Sequence, residues 1–258
     1  MNYRTLGKTG WKISEIGFGT WGIGAGWGPV DEGTSLAALH RAVDLGVNYF
    51  DTADVYGNGG SERLLARLRQ ERHEPILIAT KIGRKFSPQA VEQYTPAAMG
   101  AYVEECLKRL QTDCLDLLQL HCPPPEAYYR PEIWGALDEL VRQGKLRHYG
   151  VSVRNVEEAL KAIEFPAMAV VQIIFNVFRH RPAELLFAQA LRRQVGIVVR
   201  VPLASGLLTG KMKADTRFTA DDHRQFNRQG QVFDRGETFA GVDFDTGLRA
   251  VEELRALL

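Results

Sequence analysis

The sequence is poor in the features that mark several classes of protein. Its 258 residues include only three cysteines, Cys106, Cys114 and Cys122. They form no CxxC pair and have no companion histidines at zinc-finger spacing. Reduced thiols are therefore expected, with no disulfide framework and no metal site. Net charge is only +1, and no basic stretch interleaves with aromatics, so neither nucleic acid nor anionic lipid is expected as a partner. No run reaches the roughly 18 apolar residues of a membrane span, and MNYRTLGKTG has no apolar segment of signal-peptide type. A cytoplasmic protein is the expectation, and nothing specifies its oligomeric state. With 45% hydrophobic and 24% charged residues, the chain can bury one large core, and a single domain over 1–258 is expected.

What is present is a rhythm. The opening YRTL-GKTG-WKIS reads as two short strands around a glycine-containing turn. Seven short apolar runs follow: 15–19, 47–51, 76–80, 115–120, 148–152, 169–173 and 196–200. Between them lie segments of helical period near 33–45, 60–71, 96–111, 131–143, 155–164 and 182–194. Pro96, Pro131 and Pro182 suit first helical turns, Asn155 is a candidate N-cap, and Gly46, Gly144 and Gly196 follow helices as stops. Near-continuous apolar strands joined by helical crossovers predict a parallel α/β sheet covered by helices. The stretch 203–244 breaks the rhythm. It is rich in Gly, Asp, Arg and Gln, lacks a period, and reads as a long loop ahead of a last helix.

The strand ends carry the chemistry. Asp51, Lys81, His121, Ser152, Gln172 and Arg200 each stand at or just past the end of a different run, with Tyr56 in the loop after the second. A doubly wound sheet concentrates its site at one switch point, whereas a (β/α) barrel gathers groups from many strand ends, so the barrel is favoured. Gly17, Gly19 and Gly22 satisfy GxGxxG after a strand. The following GIGAGWGPV cannot open the helix that a dinucleotide fingerprint needs.

A phenol with an ordinary pKa of about 10 is a poor acid at neutral pH unless its anion is stabilised. Lys81 could stabilise the Tyr56 anion, Asp51 could hold the lysine charged, and His121 could orient a carbonyl oxygen. Singly, each has a plainer reading: a turn-forming aspartate, a surface aromatic, a solvated lysine, a strand-capping histidine. Their succession after consecutive strands favours a unit that protonates a carbonyl oxygen while another group attacks its carbon.

The runs GVNYFDTADVYG (46–57), ATK (79–81), LLQLH (117–121) and GVS (150–152), with RTLGKTG, GFGTW (17–21) and PLASGLLTGK (202–211), resemble the aldo-keto reductase superfamily in order over nearly the whole chain. The resemblance implies a (β/α)8 TIM barrel and hydride transfer from NADPH to an aldehyde or ketone. Asp51, Tyr56, Lys81 and His121 would be the catalytic tetrad, with Tyr56 as proton donor.

For the cofactor it implies that Ser152 and Gln172 hold the nicotinamide carboxamide. Thr20 and Trp21 would lie beside the ring, along with Asp51, and Val201, Pro202, Leu203, Ser205, Gly206 and Lys211 would wrap the pyrophosphate. Arg200 stands where the family often stacks an aromatic; its charge would disfavour the oxidised ring. Val153 replaces a polar residue common in the family. Trp21, Trp27, Tyr56, Pro123 and Tyr128 would wall a substrate pocket for a small carbonyl compound. Family members continue into an eighth β/α unit that grips the adenosine 2′-phosphate, and this unit is not found here, so weak cofactor binding is expected. A cofactor-sensing regulatory subunit and an inactive barrel fragment are the alternatives.

Overall fold

The computed structural model describes residues 1–24 and 30–257. Strands β1 (Tyr3–Thr5) and β2 (Lys12–Ser14) pair antiparallel. Their hairpin is tied to the main sheet by Asn48, whose side chain accepts from Ser14 N at 2.7 Å and donates to Lys12 O at 2.9 Å. This use of Asn48 explains a shortened ladder. Strand β3 is Phe18–Gly19 and β4 is Tyr49–Asp51, both briefer than their apolar runs. Strands β5 (Leu77–Ile82), β6 (Leu115–His121), β7 (Leu146–Ser152), β8 (Met168–Ile174) and β9 (Gly196–Arg200) follow their runs closely. The seven strands β3 to β9 form one parallel sheet in sequential order. Among the described residues, β3 and β9 form no ladder with each other.

Helices α1 (Glu32–Asp44), α2 (Gly60–Glu71), α3 (Pro96–Leu110), α4 (Pro131–Arg142), α5 (Val156–Ala162) and α6 (Leu186–Arg192) make the crossovers. The α3 segment shows why they form. Thr95 caps by accepting from Ala98 N, Pro96 opens the first turn, and Met99, Val103, Cys106, Leu107 and Leu110 make one buried stripe at helical spacing. Burying each such side chain stabilises by about 1.5–3 kcal/mol. Pro182 does not open a helix as expected. It lies in a separate turn, Arg181–Ala183, because Leu185 breaks the helical path at φ −137° before α6 begins.

Alternation along the strands separates two environments. The lower interior is apolar, with Tyr49, Ala79, Leu117 and Val170 packed against Leu6 of the hairpin turn, which plugs that end. The upper interior is polar, with Asp51, Lys81, Gln119, His121, Ser152 and Gln172. Close strand contact at this level needs Gly150, where a Cβ would lie 2.4 Å from Val170 O, beside a shift in register.

The segment 203–244 is less irregular than expected. It holds a turn at Ala204–Thr209, the short helix α7 (His223–Phe226), and turns at Arg235–Glu237 and Phe239–Gly241. With α8 (Phe244–Arg255) it buries its own apolar cluster of Ala204, Leu207, Phe239, Ala240, Phe244 and Val251. No described helix is long and apolar enough to cross a membrane. The three cysteines are free, and no cluster of potential metal ligands occurs among the described residues.

Candidate active site

Register aligns the strand ends that sequence singled out. Gly19 lies beside Asp51, Lys81 beside Gln119, and His121 beside Ser152, which lies beside Gln172. Lys81 is fully buried, and Nζ donates to Asp51 Oδ2 at 2.5 Å and to Thr52 O at 2.8 Å. The other carboxylate oxygen, Asp51 Oδ1, accepts from Gln172 Nε2 at 2.7 Å and from Gln119 Nε2 at 3.3 Å. Burial lowers the affinity of Lys81 for its proton, but Asp51 and Tyr56 outweigh it and hold the ammonium above its ordinary value. The lysine is a fixed cation.

Tyr56 begins a tight turn in which Gly57 and Asn58 adopt left-handed conformations. Its ring centroid is 5.1 Å from Lys81 Nζ and 6.0 Å from the His121 ring, which meets it edge-on at 84°. Gly24 makes room: a Cβ there would come within 2.7 Å of Tyr56 Cβ. Burial pushes the Tyr56 phenol above 10.0, Lys81 pulls it down, and Asp51 and Glu237 push it up. Lys81 acts in the expected direction, but desolvation is the larger effect and the net direction is upward. Tyr56 is thus a protonated donor at neutral pH. His121 is held well below 6.5 by burial and by Arg84, Lys81, Arg200 and Arg154, so its ring is neutral, and its buried Nδ1 has no hydrogen-bond partner among the described residues.

Thr20 is fully buried, and its hydroxyl donates to Asp51 O at 2.9 Å and accepts from Ser61 Oγ at 2.5 Å. It holds the end of β4 in place. Trp21 lies over the site, 6.4 Å from Tyr56 and nearly parallel to it, with His223 and Phe233 of the 203–244 segment against its ring. Ser152 Oγ donates to Gln172 Oε1 at 3.3 Å, so the two residues expected at a carboxamide join the hydrogen-bond network that holds Asp51. Val153 buries its side chain, while its carbonyl accepts from Arg200 Nη2 at 2.9 Å.

The expected pyrophosphate loop leaves β9 through Val201, held left-handed at φ 55° with its carbonyl accepting from Asn176 Nδ2. Pro202 and Leu203 are exposed, Gly206 has φ 91°, and Lys211 is exposed. Ser205 faces inward, donating to Glu237 O at 2.8 Å.

Two expected pocket walls are not found at the mouth of the described structure. Tyr128 is 1% exposed and stacked on Trp134 of α4, so it belongs to the outer core rather than the mouth. Trp27 lies outside the described residues. Sequence reasoning missed Gln119, although a glutamine inside LLQLH was a visible signal. It also missed Arg84, Glu237, His223 and Phe233. Arg84 follows Lys81 by three positions, whereas nothing in the unpatterned 203–244 stretch marked the other three.

A buried lysine–aspartate pair beneath a protonated phenol, with a neutral imidazole at its edge, is suited to delivering a proton to a carbonyl oxygen. A model of the Aldo/keto reductase family matches residues 15–258. The chain belongs to the aldo/keto reductase family. Aldo-keto reductase YhdN of Bacillus subtilis is 33% identical over 235 residues, spanning 90% of this chain and 71% of that protein. An aldo-keto reductase of Schizosaccharomyces pombe, named for NADP(+), is 31% identical over 220 residues, spanning 83% of this chain and 65% of that protein. Among solved structures, the holo form of the aldo-keto reductase AKR11C1 from Bacillus halodurans superposes with a TM-score of 0.73 at 30% identity, covering 84% of this chain and 72% of that one. The fold likeness accords with a (β/α)8 barrel, of which the described residues form a seven-stranded parallel sheet.

Proposed function

We propose that this aldo/keto reductase chain transfers a hydride from NADPH to an aldehyde or ketone, with Tyr56 donating the proton to the developing alkoxide. The observation that carries the reading is the Asp51–Lys81–Tyr56 stack: a buried ammonium 2.5 Å from a carboxylate and 5.1 Å from the centre of the phenol ring. As the phenol gives up its proton, Lys81 stabilises the phenolate formed, an electrostatic contribution made chiefly in the transition state. Neutral His121, edge-on to Tyr56, is placed to orient the carbonyl oxygen. NADP(H) is favoured as cofactor by the Schizosaccharomyces pombe relative named for it.

The donor set fits such a cofactor. Ser152 and Gln172 offer a hydroxyl and an amide at the strand ends, Trp21 offers a flat face, and the loop from Val201 through Ser205 and Gly206 to Lys211 offers backbone amides and a cation at the rim. When bound, the nicotinamide supplies the hydride. The protein's residues hold it, exclude water and move the proton.

Retention of the whole tetrad favours the enzyme over a sensor or an inactive fragment. Monitoring NADPH absorbance with a panel of aldehydes and ketones tests this. Turnover by the wild type that falls about 10²–10⁴-fold in Tyr56→Phe, the range of general-acid contributions, is the expected result. Cofactor binding without turnover of any carbonyl would favour the sensor, and turnover unchanged in Tyr56→Phe would remove the phenol from the mechanism.

A further inference from the structure

Three guanidinium groups crowd the mouth beside His121: Arg84 just after β5, Arg154 just after β7, and Arg200 at the end of β9. Arg154 is satisfied by its own surroundings, donating to Cys122 O at 2.8 Å and lying 3.9 Å from Glu158. The other two share one carboxylate. Glu237 Oε2 is 2.5 Å from Arg200 Nη1, and Oε1 is 3.6 Å from Arg84 Nη2. The Arg84, Arg200 and Glu237 side chains are only 21%, 13% and 11% exposed, so solvent compensates the two cations only in part. Arg84 Nε and Arg200 Nε are buried without an acceptor among the described residues. Asp234, the other acid near Arg200, spends one oxygen on Gly236 N at 2.7 Å.

The two cations and their anion have different origins. Arg84 and Arg200 stand on the strand ends, whereas Glu237 arrives from the segment laid across them. Its backbone is fixed there: Glu237 O accepts from Ser205 Oγ, which in turn accepts from Phe239 N at 3.2 Å. Phe239 and Ala240 follow at φ 50° and 57°, and Ala204 and Ser205 face them at 47° and 57°. Left-handed non-glycine residues are strained, and such strain persists where packing over-determines a position, often at ligand clamps. The structure thus holds a carboxylate on a flexible side chain, anchored by a rigid backbone, against a cation pair that must have a counter-ion. Rotation of that side chain alone would open the pair to another anion.

We propose that Arg84 and Arg200 form a carboxylate-binding subsite beside the tetrad, that Glu237 is its internal occupant, and that the substrate carries a carboxylate which displaces it. Arg84 follows and Arg200 ends strands of the same parallel sheet whose ends carry Lys81 and His121, with the Tyr56 ring 6.0 Å from that of His121, so an acid group held there lies at the same rim as the proton donor. The substrate part of this proposal rests on the reductase reading above; the binding part does not.

Calorimetric titration with sodium benzoate, and separately with inorganic phosphate, tests the subsite without turnover. A site occupied internally more than nine-tenths of the time gains at least about tenfold in apparent affinity when the occupant is removed. Glu237→Gln is therefore expected to bind benzoate at least about tenfold more tightly than the wild type, and the double variant Arg84→Met/Glu237→Gln is expected to lose that gain. Should Glu237→Gln fail to fold, Arg84→Met alone decides the matter, since it should abolish the rise in thermal midpoint that benzoate gives the wild type.

Benzoate affinity unchanged in Glu237→Gln, or a gain that survives loss of Arg84, would overturn the subsite. The same pattern with phosphate and none with benzoate would overturn the choice of a carboxylate. With turnover established, 4-carboxybenzaldehyde should exceed 4-methylbenzaldehyde in kcat/KM, and Arg84→Met should erase the difference; equal values would overturn the substrate assignment. If no carbonyl is reduced, the reductase reading fails while the benzoate results still decide the subsite.

Discussion

Replacing Lys81 with methionine is expected to damage stability and catalysis for one electrostatic reason. Methionine approximates the lysine stem in length, so packing changes little. What is lost is the ammonium 2.5 Å from Asp51 Oδ2. Leaving a buried charge without its partner costs about 3–5 kcal/mol. Asp51 keeps two amide donors, Gln119 and Gln172, and its side chain is 17% exposed, which places the expected cost near the lower end. For a chain of this size each kcal/mol moves the thermal midpoint by about 2–4 °C, so a fall of roughly 6–12 °C is expected. Replacing Asp51 by asparagine in the same protein removes both charges and should recover most of it, because exchanging a buried pair for neutral groups of similar shape is often nearly free. Carbonyl reduction should not recover, since the phenolate still lacks its cation. The assay is a double-mutant cycle by denaturant unfolding, with NADPH oxidation measured on each variant. A coupling energy above about 2 kcal/mol is expected. Strictly additive effects would refute the buried pair as the organising element of the site, and full activity in Lys81→Met would refute its part in proton donation.

Two further tests use other features of the site. Burial and four nearby cations hold His121 well below 6.5, so the unfolded chain takes up a proton that the folded chain refuses, and stability falls as pH drops below about 6.5, by up to about 1.4 kcal/mol per pH unit. Asp54 works in the opposite sense: burial raises its carboxyl from 3.8 to about 7, so the folded chain holds a proton that the unfolded chain releases, and stability rises as pH falls from 7 towards 4. Unfolding midpoints between pH 4.5 and 7 should therefore drop more steeply on acidification in Asp54→Asn than in the wild type, and less steeply in His121→Asn; parallel curves would contradict both assignments. Gly24→Ala should push Tyr56 from its place, since the new Cβ would lie 2.7 Å from Tyr56 Cβ. A misplacement of this kind costs on the order of 10²-fold in kcat/KM; unchanged kinetics would mean that the loop yields instead of the tyrosine.

Strand pattern was legible because it reports a period. All seven parallel strands lie within or closely beside their apolar runs, Pro96 opens a first helical turn, and Asn155 caps its helix by accepting from Glu158 N, as its position implied. Boundaries failed where a side chain was diverted: Asn48 serves the hairpin rather than extending β4, and Leu185 breaks the turn that Pro182 begins. The meeting of Asp51, Tyr56, Lys81 and His121 was legible for a related reason, since strand ends of a parallel sheet point to one rim. The 203–244 segment was not. Its order comes from tertiary contacts of Phe218, Phe239 and Phe244 and from left-handed residues at 204, 205, 239 and 240, none of which leaves a periodic trace. Glu237 was invisible for the same reason: its partners are more than 30 positions distant in sequence.

Counting charges by their origin joins stability to function at this mouth. Lys81 and Arg154 draw their partners, Asp51 and Glu158, from the sheet and its crossover helices, so these pairs stay matched whatever lies above them. Arg84 and Arg200 draw theirs from the covering segment. Displacing Glu237 without supplying another anion would leave two poorly solvated guanidinium groups beside a histidine held neutral by burial and, in part, by their field. That cost keeps the site closed when empty. A ligand that brings its own carboxylate avoids the cost, and a neutral carbonyl compound does not. Discrimination between them would then come from the closed state of the protein as much as from the contacts in the open one, which is the reason Glu237, rather than any tetrad residue, is the most informative position to change first.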